Sequence, residues 1–174
     1  TITARIHTTS SGQGHETLVS TVLGEILGID PDSIRVVRPN SLESLPGNSP
    51  VGSRMAIMLG GAAARSAEKL KAKIIAIAAH QLQCDAASIH YQGGHMLSAD
   101  GRQISWDDII ELAHRQIHGL PDGMDPGLAS FDIMQVPTGG DLPKDGKVHM
   151  YPCYSFEFHL VLVAFDPIIG LSLI

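Results

Sequence analysis

The chain has 174 residues, a formal net charge of −6 and a pI near 5.8, with 44% hydrophobic and 17% charged residues. That length carries one domain with a real core, or two small lobes, and the composition is that of a globular protein. The acidic balance argues against a nucleic-acid partner. Lys69, Lys71 and Lys73 interrupt the long helical region, so no membrane span is expected.

Residues 2–9 alternate apolar and polar positions and predict a strand, with no cationic leader ahead of it. The loop Ser10-Ser11-Gly12-Gln13-Gly14-His15-Glu16-Thr17 follows. It runs into a helix whose apolar face is Leu18, Val19, Val22, Leu23, Ile26 and Leu27, ending at Gly28. Asp30-Pro31-Asp32-Ser33 reads as a turn and residues 33–38 as a second strand. After a polar stretch from Pro39 to Pro50, a long helix is predicted from Met55 to about Gln83. Its packing stripe is Ala63, Ala67, Leu70, Ile74, Ile77 and Gln81. Gly60-Gly61 imply close backbone packing, against a sheet or a cofactor.

Residues 88–105 predict a hairpin turning at Ala99-Asp100-Gly101. Ser105 then caps a short helix with Asp107 and Asp108 in its first turn and Gly119 beyond its end. Residues 119–150 are rich in Pro and Gly and read as an insertion facing substrate or a partner, with one short strand near 130–136. Met124, Met134 and Met150 would fill gaps beside it. The last element is a strand over 154–165 carrying Phe156, Phe158, Leu160 and Leu162 on one side. Thr1 opens in a strand and residues 165–174 stop within a return hairpin, which predicts a piece of a larger polypeptide or assembly.

Two loops could carry chemistry. Gly12-Gln13-Gly14-His15 stands between a strand and a helix start, where glycines admit a close approach and helix N–H groups favour a phosphate. No Lys follows the second glycine, so it is not a Walker loop, and the third glycine of a Rossmann fingerprint is missing. Asn48-Ser49-Pro50-Val51-Gly52-Ser53-Arg54 repeats the arrangement at the long helix, with an Arg able to offer a fork to an anion. Each loop is also readable as an ordinary turn or cap.

Other polar residues read more plainly. His114 and His118 lack the HExxH pattern and fit a solvated helix face. His90 and His95 flank a Gly-Gly step that suggests a bulge, and Glu157 and His159 fit a surface pair. Cys84 and Cys153 form no CxxC pair, which leaves no iron–sulfur or zinc-ribbon site within the chain and fits a reducing, cytoplasmic setting. Cys153 itself reads as a small buried hydrophobe.

The ordered blocks GQGHET, a short strand ending Val37-Arg38-Pro39, and SPVGSR followed by GGAAA resemble one known family. It is the molybdopterin-binding large subunit of the xanthine dehydrogenase, aldehyde oxidase and carbon monoxide dehydrogenase family. Tyr151-Pro152-Cys153-Tyr154-Ser155-Phe156 and Asp166-Pro167-x-x-Gly170 are similar to its next strand and hairpin. The resemblance implies an α+β fold, a two-layer mixed sheet packed by helices, over one partial cofactor-binding domain. Residues 1–84 would form the cofactor-loop half, and residues 85–174 the hairpin, short helix, insertion and closing strand.

By the same resemblance, Gly12, Gln13, Gly14 and His15 would contact a molybdopterin dinucleotide, in bacterial relatives mostly the cytosine form. Val51, Gly52, Ser53 and Arg54 would line a second cofactor-facing loop, with Ser53 near the molybdenum. The family hydroxylates an electron-poor carbon of an aldehyde, N-heterocycle or similar small substrate. Its base is a glutamate in a GxGE-like segment absent from this sequence, so no catalytic residue and no direct metal ligand is assigned here. The rest of the molybdopterin subunit, and iron–sulfur and FAD subunits or domains, would be partners, and the chain alone should not turn over substrate. The alternative is a cofactor-free relative serving as a folding or interaction module. A phosphate-binding enzyme of another family would need a catalytic acid or metal cluster that the sequence does not offer.

Overall fold

Alternation at the amino end, followed by a 3.6-residue period, produces a strand–loop–helix–strand unit. The computed structural model describes residues 1–40, 42–43, 45–47, 49–92, 94–135, 145–146 and 156–173. Strands β1 (Ile2–Arg5) and β2 (Ile34–Val37) pair in parallel, Ile2 opposite Ile34 and Arg5 opposite Val37. Parallel neighbours need a crossover, and helix α1 (His15–Leu27) supplies it. Val19, Leu23 and Leu27 are its buried row, with Leu18, Val22 and Ile26 half-buried beside them. Gly28 ends α1 at φ 62° and donates its N–H to the Gly24 carbonyl. A Cβ there would stand 2.7 Å from the Tyr91 ring, so this position excludes a side chain twice over.

Helix α2 (Met55–Leu82) has 28 residues, a length of about 42 Å. Ala67, Ile74 and Ile77 of the expected stripe are buried, and Ala63 and Leu70 half-buried. Gln81 is not: it is exposed and spends its amide on the Gly119 carbonyl at 2.5 Å. Towards its end the helix is covered from a different side, so Ala78, Ala79 and Leu82 become its buried residues. Gly60 and Gly61 make room for neither sheet nor cofactor. A Cβ on Gly60 would touch Leu18 of α1 at 3.6 Å, and one on Gly61 would meet the Met134 thioether.

One helix thus serves two cores. The first gathers Ile6, Val19, Leu23, Leu27 and Ile34 around Met55, Leu59 and Ala67. The second gathers Met96, Ile109, Ala113 and Leu120 around Ile74, Ile77 and Leu82, and Leu70 flanks both.

The second core lies under a three-stranded antiparallel meander, β3 (His90–Gln92), β4 (His95–Leu97) and β5 (Gln103–Ser105). The turn at residues 99–101 is where the sequence puts it, with Gly101 at φ 87°. The step at Gly94, φ 79°, is a second reversal that pairs Gln92 with His95, rather than a bulge. Helix α3 (Trp106–His114) starts on a full capping box. Ser105 Oγ accepts from the Asp108 N–H at 3.2 Å, and the Asp108 carboxylate accepts from the Ser105 N–H at 3.2 Å. The Trp106 ring meets Tyr91 edge-on at 6.2 Å and donates its N–H to the tyrosine hydroxyl.

Three expectations need correction. The single mixed sheet is not formed: parallel and antiparallel pairs occupy three separate small sheets among the described residues. Residues 130–135 form no strand; this coil and the residues just before it are tied to α2 instead. Lys69 donates to the Phe131 carbonyl (3.2 Å), Lys73 to the Asp125 and Gly127 carbonyls (2.7 and 2.6 Å), and Ser130 to the Ser66 carbonyl (2.8 Å). Residues 156–162 are likewise no strand, despite their alternation. Cys153, Met150 and residues 151–155 lie outside the described residues.

The chain divides into two compact units, residues 1–137 and 138–174. In the second, β6 (Val163–Asp166) and β7 (Gly170–Leu173) form a hairpin with Asp166 opposite Gly170. Asp166 Oδ1 accepts from the Ile168 and Ile169 N–H groups at 2.7 and 3.2 Å, and Gly170 takes φ 96°. Glu157 and His159 are an exposed pair at 2.9 Å.

Candidate functional site

The loop between β1 and α1 is tied by its own side chains. Ser10 Oγ accepts from the Gly14 N–H at 2.9 Å, and Gln13 Oε1 accepts from the Ser11 N–H at 2.5 Å. Gly12 and Gly14 stand at φ 100° and 69°, and nothing lies within 4 Å of where a Cβ would be on either. Gly14 is the N-cap of α1, and no side chain caps the helix. Apart from the Glu16 N–H, which its own carboxylate meets, the first-turn N–H groups that Ser or Asp would ordinarily satisfy are left for water or a ligand. His15, the first helical residue, is only 3% exposed, and its Nδ1 has no hydrogen-bond partner. An orphaned ring nitrogen at that depth is costly unless something else meets it.

The second loop repeats this. Gly52 and Ser53 both take positive φ, 67° and 51°, a conformation that costs a serine about 1 kcal/mol or more. Val51 is exposed, and its N–H donates to the Ser49 carbonyl at 3.0 Å. Arg54, the N-cap of α2, also offers no side-chain cap. Its Nη2 donates to the Ser49 carbonyl at 2.7 Å, while its Nε is buried with no hydrogen-bond partner. Asn48 lies outside the described residues.

The packing of α1 on α2 brings the two helix starts together. Leu18, in the first turn of α1, meets Gly60, in the second turn of α2. Packed helices generally run with axes about 8–10 Å apart, so this contact puts the two starts within roughly 15 Å of each other.

Sequence reading missed three residues of this region. Ser10 holds the glycine loop, and its signal was a hydroxyl four residues before a helix cap. Glu16 and Arg38 form an ion pair that joins the first turn of α1 to the residue after β2. The Glu16 carboxyl is held below the usual carboxylate range, chiefly by its own backbone N–H and further by Arg38, which together outweigh the opposing effect of burial. An acid in a first helical turn is the visible half of that signal. The other candidates resolve plainly. His114 Nε2 accepts from the Leu128 N–H at 3.2 Å, and His118 is exposed. Among the described residues no cluster of His, Cys, Asp and Glu is placed to hold a metal, and no helix is long and apolar enough to cross a membrane.

The molybdopterin cofactor-binding domain matches residues 1–172 of this sequence. The chain belongs to that family. It is 28% identical to the nicotine 6-hydroxylase large subunit of Paenarthrobacter nicotinovorans over 98% of its own length and 19% of that protein's. It is 31% identical to the carbon monoxide dehydrogenase large chain of Afipia carboxidovorans, over 79% of this chain and 17% of that one. Among solved structures, reconstituted CO dehydrogenase from Oligotropha carboxidovorans superposes with a TM-score of 0.68 at 27% identity, covering 76% of this chain and 16% of that one. This chain of the molybdopterin-binding family therefore spans less than a fifth of the length of these relatives.

Proposed function

We propose that this segment forms part of the cofactor cradle of a molybdenum hydroxylase, holding a molybdopterin dinucleotide between the Gly12–His15 and Val51–Arg54 loops. One observation carries the reading: each of two neighbouring helices begins at an uncapped turn with a buried, unpartnered nitrogen, His15 Nδ1 in one and Arg54 Nε in the other. Both loops also have the residues for an anionic, hydrogen-bonding ligand. Gly12 and Gly14 leave open space beside the backbone, and the Gln13 amide nitrogen has no partner among the described residues. These residues fit the group that the family implies.

When bound, the cofactor supplies a molybdenum centre able to take two electrons from a small substrate. The chain's own part is to grip and orient. Gly12 and Gly14 admit phosphate to the helix end, Gln13 and Arg54 donate to its oxygens, and His15 offers a polar atom from within the wall. With Glu16 bound to Arg38, the negative charge nearest the α1 terminus is neutralised, which lowers the repulsion that a phosphate would meet. The cytosine form, the substrate class of aldehydes, N-heterocycles or similar molecules, and partner iron–sulfur and FAD portions belong to the same proposal. The related large subunits and a complex subunit gamma, named as parts of multi-subunit enzymes, support the part of it that concerns partner subunits.

The test is cofactor retention in a full-length subunit containing this segment. Charge-assisted hydrogen bonds contribute roughly 1.5–3 kcal/mol. Gln13→Ala and Arg54→Ala should therefore each weaken retention by roughly ten- to a hundredfold. The double variant should lose less than the sum if both grip one molecule. Molybdenum and pterin contents unchanged in both single variants would refute the cradle and favour a cofactor-free module.

A further inference from the structure

The imidazole of His7 lies directly on the backbone of Gly47. A Cβ on Gly47 would stand 2.0 Å from His7 Cδ2 and 2.4 Å from its Cγ, so the ring occupies the place of a side chain at residue 47. Gly47 does not take a positive φ, and glycine is required there by the ring rather than by the backbone. Each partner leads into one of the two cofactor loops: His7 comes five residues before Gly12, and Gly47 four before Val51. His7 is half-buried between Ile6 and Thr8, each 5% exposed, which fixes the backbone that carries the ring. Two residues past Gly47, the Ser49 carbonyl accepts from the Val51 N–H at 3.0 Å and from Arg54 Nη2 at 2.7 Å. The ring is thus one short step of chain from the atom that holds the Arg54 guanidinium. Two ion pairs, Arg5 with Glu43 and Glu16 with Arg38, join the same stretches. Arg5, Glu43 and Arg38 are each more than half exposed, where such pairs contribute little and salt screens them. Packing on Gly47 is not screened.

We infer that His7 is a positioning residue for the cofactor: its ring, seated on Gly47, sets where the Ser49 carbonyl stands and so where Arg54 points. This rests on the cradle reading. A free arginine loses rotamer freedom when it grips a phosphate, and that loss weakens binding. Arg54 is already held on Ser49 before a ligand arrives, so much of the loss is met in advance, provided that Ser49 is itself held. Residues 38–54 form a long connection between β2 and α2, and without an anchor near its end Ser49 would wander with it. The ring supplies that anchor, because a flat side chain can lie against a glycine at a distance that any Cβ would forbid. In this role His7 exchanges no proton and touches no ligand; it acts through Gly47, Ser49 and Arg54.

The experiment follows the release of pterin and molybdenum, over time, from the folded full-length subunit in its complex. His7→Ala should release them about tenfold faster, the lower end of the loss expected for Arg54→Ala. Gly47→Ala should do the same, since its methyl drives the ring away, and should add nothing to His7→Ala, where the ring is gone. His7→Ala should in turn add nothing to Arg54→Ala, through which it acts. His7→Phe keeps a flat ring without its nitrogens and should restore wild-type release. Should His7→Ala fail to fold, Gly47→Ala alone and with Arg54→Ala gives the same readings. Wild-type release from His7→Ala beside fast release from Arg54→Ala would overturn this inference and leave the cradle standing. Wild-type release from Arg54→Ala would remove the cradle and this inference with it. Additive losses of His7→Ala and Arg54→Ala, or fast release from His7→Phe, would mean that His7 acts by another route and would overturn the inference as well.

Discussion

The two ends of α2 solve the same problem differently. Around Ile74, Ile77 and Leu82 the polar groups are well matched: Ser105 and Asp108 cap each other's backbone, Tyr91 meets Trp106, and Gln81 reaches the Gly119 carbonyl. Around Met55 and Leu59 the helix packs equally well on α1, yet both helix starts lack side-chain caps and each has a buried nitrogen without a partner. A fold built for stability alone would satisfy both ends. The difference teaches that, among the described residues, the second core holds the helix with its polar groups matched while the first leaves buried polar groups without a protein partner.

The strongest way to probe this contrast is the second core. Ile77→Ala, at a fully buried site, should cost about 2–5 kcal/mol of stability in urea titration, with molybdenum per folded subunit unchanged. Loss of the metal from the folded fraction would show that the two ends are not separate in function. A matched pair of glycines sharpens the comparison. Gly14 and Gly101 both have positive φ and open space at Cβ, so Gly14→Ala and Gly101→Ala should each cost on the order of 1 kcal/mol in thermal unfolding. Only Gly14→Ala should lower molybdenum content. Equal metal contents would make the first loop a mere turn.

Smaller still is the cap. Ser105→Ala should cost about 1 kcal/mol, read as a drop in the melting temperature, and leave cofactor content alone. The smallest effect is that of pH. Hydrogen bonds from the Ser105 hydroxyl and backbone hold the Asp108 carboxyl below its ordinary range. Its contribution is therefore fully present above an unfolded value of about 3.9 and fades as pH falls through the lower folded value. Asp108→Asn should flatten that acid limb of the stability curve, and an unchanged limb would remove the box from the account.

Much of this was legible in sequence because it depends on local period and cap chemistry. Leu23 and Leu27 name the buried side of α1, Gly28 its end, and Ser105 with Asp108 the start of α3. What was not legible depends on partners distant in the chain. Residues 130–135 alternate like a strand, but Lys69 takes the Phe131 carbonyl and Ser130 turns its hydroxyl to the Ser66 carbonyl, and no local pattern announces this. Gln81 falls in the apolar stripe by spacing, yet the second core approaches α2 from the side of Ala78 and Leu82. In the site, glycine spacing marked the loops, whereas the depth of His15 and the stranded Arg54 Nε emerge only from packing.

The shared helix also sets a schedule for synthesis. The first core can close once Ala67 has emerged, because every other member precedes it. The isoleucine face of α2 has no such early cover, since its mates extend to Leu120. At a ribosome's pace of about 5–20 residues per second, the stretch from Leu82 to Leu120 takes roughly 2–8 s. Throughout that interval the helix has no cover for Ile74, Ile77 and Leu82. Chaperone capture on the nascent chain should begin as that face leaves the tunnel and end when Leu120 follows.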